Sequence, residues 1–172
     1  MPEPAWLIEA RKHLGVRETP GSGNNAKIMS WPRRIAAKYP SLNWAVRVFT
    51  GDAVPWCGLF VGEVMAATGH VPPSAYPSAK NWLTFGNALS KPAVGAIVVF
   101  GRKGGGHVGF VVGKDRSGNL MVLGGNQGDM VKVSPFALSR VIGYRWPASN
   151  APAPNFNLPL IRSDGRLSTN ER

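Results

Sequence analysis

Cysteine is nearly absent from this chain: among 172 residues there is one, Cys57. A single thiol excludes an internal disulfide and any cage of thiolates around a metal. Acid is also scarce, with nine Asp and Glu against 20 Lys and Arg, a net charge of +11. Histidine occurs three times, at positions 13, 70 and 107. No run of about 18 apolar residues occurs, which excludes a membrane-spanning helix. The opening Met1–Gly15 lacks the basic segment and apolar core of a secretory signal, so synthesis in a cytoplasm is expected, with any action outside requiring release by other means.

The basic excess concentrates the protein on anionic polymers. Nucleic acid is one such partner, and the phosphate-bearing polymers of bacterial envelopes are another. The cations are dispersed as Arg11-Lys12, Arg33-Arg34, Arg102-Lys103, Lys114, Arg116, Arg140 and Arg145. A solvated basic surface and a docking patch both remain open on that pattern, and no specific nucleic-acid motif accompanies it. With 44% hydrophobic and 17% charged residues the composition is that of a globular domain. A chain of this length buries roughly two-thirds of its unfolded surface and needs no metal or disulfide staple.

Trp6, Ile8, Ala10 and Leu14 fit an amphipathic helix ended by Gly15. Residues 19–25 (TPGSGNN) are a loop by composition. A second helical stretch runs from about Ala26 to Lys38, disturbed by Pro32. A third opens near Pro55, with Asp52 as cap or first-turn acid, and closes at Gly69. From Ala93 onward the text turns β-rich: GAIVVF (95–100), HVGFVV (107–112), LMVL (120–123), MVKV (130–133) and VIGYRW (141–146) are separated by Gly, Asp, Asn and Ser turns. Helices first and strands afterwards predict an α+β domain with an antiparallel sheet. The expected division is a folded domain over 1–147 and a Pro/Ala linker with a tail over 148–172, to which no regular structure is assigned.

Cys57 falls in the first turn of the third helix, where a partial positive charge and unpaired N–H groups favour a thiolate. The alternative is a small buried hydrophobe. Of the histidines, His13 and His70 read as packing or surface residues. His107 follows Gly104-Gly105-Gly106 and opens an apolar strand, which would hold its ring rigidly. If strands 107–112 and 120–126 form a hairpin about the turn at 115–119, Asn126 lands beside His107 as the orienting partner a base needs. Gln127 is the reserve, because a one-residue slip exchanges the two faces.

Other signals fail their context. Gly104, Gly106 and Gly109 satisfy a dinucleotide-type glycine spacing, but a strand follows where a helix is required. No phosphate-binding loop, no zinc motif and no cofactor motif is present. Glu18, Asp52 and Glu63 are the acids to check for a glycosidase pair. Six tryptophans could stack on sugars or fill a core, Trp56 and Trp82 being the most suggestive.

The ordered set PWCGLFV (55–61), PAVGAIVVF (92–100), GHVGFV (106–111) and GGNQ (124–127) resembles the NlpC/P60 and CHAP superfamily. The opening GVRETPG (15–21) with Asn25 is similar to its phage-associated branch. The resemblance spans about residues 5–147. It implies a papain-like core, helices packed on a five- to six-stranded antiparallel sheet, and cleavage of peptidoglycan amide bonds with no metal or other cofactor. Under it Cys57 is the nucleophile, His107 the base and Asn126 the polar third member, with Trp56, Asp52, Gln127 and Trp82 as candidates for oxyanion or substrate contacts. Many NlpC/P60 proteins place a second histidine third; this chain does not, and its spacing is closer to the CHAP pattern. The implied role is a phage endolysin, a virion tail-tip lysin associated with tail proteins, or an injected antibacterial effector. A basic wall- or nucleic-acid-binding module with an inert Cys57 is the non-enzymatic alternative.

Overall fold

A computed structural model describes residues 1–171. Three α-helices come first: α1 (Ala5–Arg11), α2 (Ala26–Lys38) and α3 (Cys57–Ala67). Short 3-10 helices lie at Pro40–Arg47, Ala79–Thr84 and Leu138–Arg140. Six strands form one sheet: β1 (Asn87–Leu89), β2 (Ile97–Arg102), β3 (Gly105–Lys114), β4 (Leu120–Gly124), β5 (Lys132–Phe136) and β6 (Val141–Trp146). Their order is β1-β6-β2-β3-β4-β5, and every neighbouring pair is antiparallel. The fold is α+β, as the arrangement of helical and β-rich text predicts.

Local chemistry sets most helix boundaries. Asn25 caps α2 through its side-chain oxygen, which accepts from the amides of Lys27 and Ile28. Pro32 lies inside α2 without ending it, because Ile28, Trp31 and Ile35 bury the same helix against the core. The first helix stops at Arg11, short of Leu14, as the chain tightens into bonds from His13 N–H to Ala10 O and Leu14 N–H to Arg11 O. Gly69, at φ +87°, terminates α3 with His70 N–H bonded to Met65 O and Gly69 N–H to Ala66 O.

Helix α3 is the axle of the molecule. Every residue from Cys57 to Ala66 is buried, so it is apolar on all sides, as a fully enclosed helix must be. Its one acid, Glu63, pairs with Arg34 of α2 at 2.8 Å. Phe60 meets Phe110 of β3 edge to face, which identifies the sheet face carrying Phe110 as the helix-facing one. Side chains alternate along a strand. His107, three residues from Phe110, therefore projects from the other face, together with its cross-strand partner Phe100. On that second face Phe100 of β2 stacks on Phe136 of β5 with centroids 4.5 Å apart. Two strands lie between them in the sheet order, so the sheet is curled into a half-barrel around this aromatic pair.

Beyond Trp146 the described residues form no helix or extended strand, yet they follow a defined course along the sheet. Lys114 N–H bonds Pro159 O, and Ile161 N–H bonds Lys114 O. Ser168 N–H then bonds Pro135 O of the edge strand β5, and Gly128 N–H bonds Asn170 O. Residues 159–171 thus cover an edge that would otherwise present unpaired backbone groups.

Candidate active site

Cys57 is the first residue of α3, preceded by Trp56 as N-cap, and no side chain caps this helix. The expectation that Asp52 caps α3 does not hold. Asp52 lies five residues upstream, and its Oδ2 accepts from the amides of Thr19 and Asn25 at 2.8 and 2.7 Å, clasping the 19–25 loop. Trp56 is held by its Nε1–H to Glu18 Oε1 at 2.8 Å. Gly58 is required because a Cβ there would collide with the Tyr76 carbonyl oxygen. The start of α3 is therefore wedged between the Glu18 loop and the chain at Tyr76.

The amides of Val108, Gly58 and Cys57 itself each draw the pKa of the Cys57 thiol down. The influence of Val108 follows from the sheet. Amides alternate in direction along a strand; that of Val111 bonds back to Ala96 on the β2 side, so that of Val108 points to the β4 side. Paired residues of β3 and β4 end at Phe110 and Leu123, leaving the Val108 amide free. That amide, of the residue that follows His107, acts on the thiol from the edge that β4 has vacated. Burial is the largest influence on this thiol and pushes its pKa up, against the pull of the three amides and the positive charge of Arg102.

His107 is fully buried. Its ring stacks on Phe136 at 5.3 Å, nearly parallel. Its Nε2 lies 3.0 Å from Oε1 of Gln127. The Gln127 amide is oriented by donation from its own Nε2 to the carbonyls of Val122 and Lys132, at 3.1 and 2.8 Å. An oxygen held against the ring can only accept, so His107 Nε2 carries the proton and Nδ1 presents a lone pair when the ring is neutral. Among the described residues Nδ1 has no hydrogen-bond partner, and none joins it to the Cys57 sulfur. Burial lowers the His107 pKa to about 4, opposed by Gln127 and by the negative charge of Glu171, and assisted by Arg140 and Arg102.

The residue on the ring is Gln127, not Asn126. Extended by the Phe110–Leu123 pair, the β3–β4 register does bring Asn126 opposite His107. However, β4 ends at Gly124, and Asn126 adopts φ +58°, which turns its side chain away. Asn126 Nδ2 instead donates to the Glu171 carbonyl at 3.0 Å, and its Oδ1 is buried without a partner among the described residues.

The two tryptophans proposed to contact substrate are unavailable to it. Trp56 and Trp82 are wholly buried, Trp82 donating to the Tyr76 carbonyl at 3.0 Å. They fill the core because each indole finds an internal acceptor. Trp44 is the exposed one, at 47%. The acids examined for a glycosidase pair are separately engaged, Glu63 by Arg34 and Glu18 by Trp56. A surface groove lined by Arg17, Glu18, Asp52, Gly128 and Asp129 opens beside them. Two arginines that sequence reasoning passed over, Arg102 and Arg140, supply the positive charge around His107. Only their presence in β-rich text marked them, and that does not separate them from solvated cations. Among the described residues no cluster of His, Cys, Asp or Glu is suited to a metal.

A helix that opens on a cysteine, packed on an antiparallel sheet that carries a histidine, is an α+β arrangement consistent with a papain-like domain. Residues 49–126 are similar to the CHAP domain, a match consistent with the NlpC/P60 and CHAP superfamily. The matched segment holds Cys57 and His107 and ends at Asn126, one residue before Gln127. No curated protein and no solved structure matches the chain. A CHAP domain implies, in general, cysteine-dependent amidase or peptidase activity on peptidoglycan.

Proposed function

We propose that the protein hydrolyses an amide bond of peptidoglycan, either within the stem peptide or between muramic acid and L-alanine, with Cys57 as nucleophile and His107 as base. One observation carries the reading. The Val108 amide, next to His107 in the chain, acts on the Cys57 thiol, and Gln127 holds the ring's Nε2, which supports Nδ1 as the base. In this reading the sulfur attacks the substrate carbonyl as Nδ1 takes the thiol proton. The tetrahedral intermediate so formed collapses to a thioester as the C–N bond breaks and the amine leaves, protonated by the ring, and water then hydrolyses the thioester with the same ring as base. Unpaired amides of the first turn of α3, that of Cys57 first, would stabilise the oxyanion, a contribution on the order of 3 kcal/mol. In the resting arrangement burial favours neutral thiol and neutral imidazole, and the charge is created only as attack begins.

The biological role we propose is that of a phage endolysin, made in the host cytoplasm and acting on the wall after release. A virion tail-tip lysin or an injected effector would use the same chemistry. The +11 charge supports attraction to anionic envelope polymers in each case. Among the described residues no helix is long and apolar enough to cross a membrane.

The direct test is clearing of a cell-wall suspension. Cys57→Ala should abolish clearing, by at least about 10⁴-fold, while the unfolding midpoint stays close to that of the parent. Undiminished clearing by that variant would end the proposal. A second reading, a binding module with an inert thiol, draws on the burial of both groups, 5% exposed for Cys57 and none for His107. Thiol labelling separates the two: reaction of native protein at neutral pH favours the hydrolase, and reaction only after unfolding favours the module.

A further inference from the structure

The segment from Arg162 to Glu171 ends against the His107 end of the half-barrel, and the contacts it makes there are those of a bound peptide. Glu171 is 1% exposed. Its carboxylate accepts from Arg140 Nη1 at 2.8 Å, its backbone carbonyl accepts from Asn126 Nδ2 at 3.0 Å, and the carbonyl of Asn170 accepts from the Gly128 amide at 2.8 Å. Arg140 is itself fixed, lying over the rings of Phe100 and Phe136, 5.7 and 5.4 Å from their centroids. Those rings stack on His107. One acidic residue is thus held at both its backbone and its side chain, beside the imidazole.

Two buried polar atoms on this side of the sheet, Asn126 Oδ1 and Arg102 Nε, have no partner among the described residues. A side-chain amide that donates to a peptide carbonyl with its nitrogen, while its oxygen is idle, is half of a two-point peptide contact. The missing half is an N–H donor. An idle guanidinium nitrogen at the same end calls for an acceptor. Leaving buried polar atoms unpaired costs stability, so such atoms mark a site completed by another molecule.

We infer that Arg140, Asn126 and the Gly128 amide form a subsite for an acidic peptide residue, and that Glu171 occupies it in the absence of substrate. This rests on the proposed peptidoglycan activity for the identity of the ligand: a stem-peptide glutamate, linked through its side chain and so carrying a free α-carboxylate. Arg140 takes that carboxylate through a charge-assisted bond, Asn126 pairs with the adjoining amide, and the scissile bond is brought towards Cys57. Glu171 is then an internal competitor, and residues 162–171 must leave before the wall peptide enters.

The test uses full-length protein carrying Cys57→Ala, so that binding is measured without turnover. The probes are a synthetic stem tripeptide with a free glutamate α-carboxylate and the same peptide with that group amidated, titrated calorimetrically. Glu171→Gln removes the competing charge, and Glu171→Lys, repelled by Arg140, serves if glutamine still holds the segment in place. Either variant should bind the acidic peptide about tenfold more tightly than the protein with Glu171, and about tenfold more tightly than it binds the amidated peptide. Adding Arg140→Gln should erase that preference. Equal binding of both peptides with Arg140 intact, no gain in either Glu171 variant, or no binding at all would overturn the inference. Because wall clearing with Cys57 restored is scored separately, loss of hydrolysis with the binding pattern intact would remove the reaction and leave the subsite standing.

Discussion

The two faces of the sheet obey different rules. On the helix-facing side Phe110 and Val108 press on α3, and Gly125 is bare because a Cβ there would run into Phe60 and Trp56. That side is close-packed hydrocarbon, and its stability derives from apolar area removed from water. On the other side His107 and Arg102 of the strands, with Gln127 and Arg140 from the connections, lie about the Phe100–Phe136 stack, and Glu171 closes the end. There His107 Nδ1, Asn126 Oδ1 and Arg102 Nε are buried without a partner among the described residues, as are His13 Nδ1 and the Tyr76 hydroxyl on the helical side. A fold selected for stability alone would satisfy or remove them. The contrast puts the proposed base and its partners on the second face, while the proposed nucleophile, Cys57, belongs to α3 on the first.

The sharpest way to break that division is to damage each face and read both stability and activity. Phe110→Ala removes a ring at the centre of the helix-facing side and should cost about 3–5 kcal/mol, measured by urea denaturation, while clearing per folded molecule changes little. Gln127→Met inverts the pattern. It keeps the volume beside His107 but leaves the Nε2 proton without an acceptor and the tautomer unset. We expect kcat/KM for wall clearing to fall by about 10- to 100-fold, with a smaller stability change than Phe110→Ala brings. If Gln127→Met unfolds the protein as readily as Phe110→Ala, the second face is structural and the division is wrong.

The same contrast explains how much could be read from the sequence. Helix α2 and the end of α3 were legible because their signals are local: a turn-rich 19–25 loop before Ala26, and Gly69 at the close of the third helix. Five of the six strands follow from β-rich runs between turn residues. The positions of Cys57 at a helix start and His107 on a strand were legible for the same reason. What escaped is whatever the tertiary structure decides. Strand β1 has three residues and exists only because β6 lies beside it. Trp56 and Trp82 carry no mark of burial in the sequence. Asn126 and Gln127 are adjacent, and which one meets the ring depends on where β4 stops and on one left-handed residue. The course of residues 159–171 has no periodicity at all, since it is held by single bonds to Lys114, Pro135 and Gly128.

Acid should act on the chemical face through His107. Its pKa in the fold is about 4, against an ordinary 6.5. Between those values the unfolded chain takes up a proton that the folded protein refuses. Stability is therefore complete above the ordinary value and declines as pH falls towards the folded one. This group alone should remove about 2 kcal/mol between pH 7 and pH 5. His13 and His70, both lowered by burial, act in the same direction. Denaturant unfolding of the parent and of His107→Gln at both pH values isolates the share of His107. Equal slopes for the two proteins would show that the imidazole is accessible to protons in the folded state, against its enclosure beneath Glu171 and Arg140.

The smallest effect is expected at Trp44, and its smallness is informative. Trp44 lies on the Pro40–Arg47 3-10 helix, which packs against α2 on the helical side of the molecule. It is the one tryptophan open to solvent, and an exposed indole is the usual platform for a sugar ring. If wall polymer approaches only from the His107 face, this indole touches nothing during catalysis. Trp44→Ala should then change stability by less than about 0.5 kcal/mol and clearing by less than about twofold. Clearing measured over a range of wall concentrations gives the two limits separately. A rise in apparent KM with kcat preserved would place glycan on the helical side as well. Cohesion and recognition would then share a face, and the separation drawn from the sheet would hold for the proposed base and its partners alone.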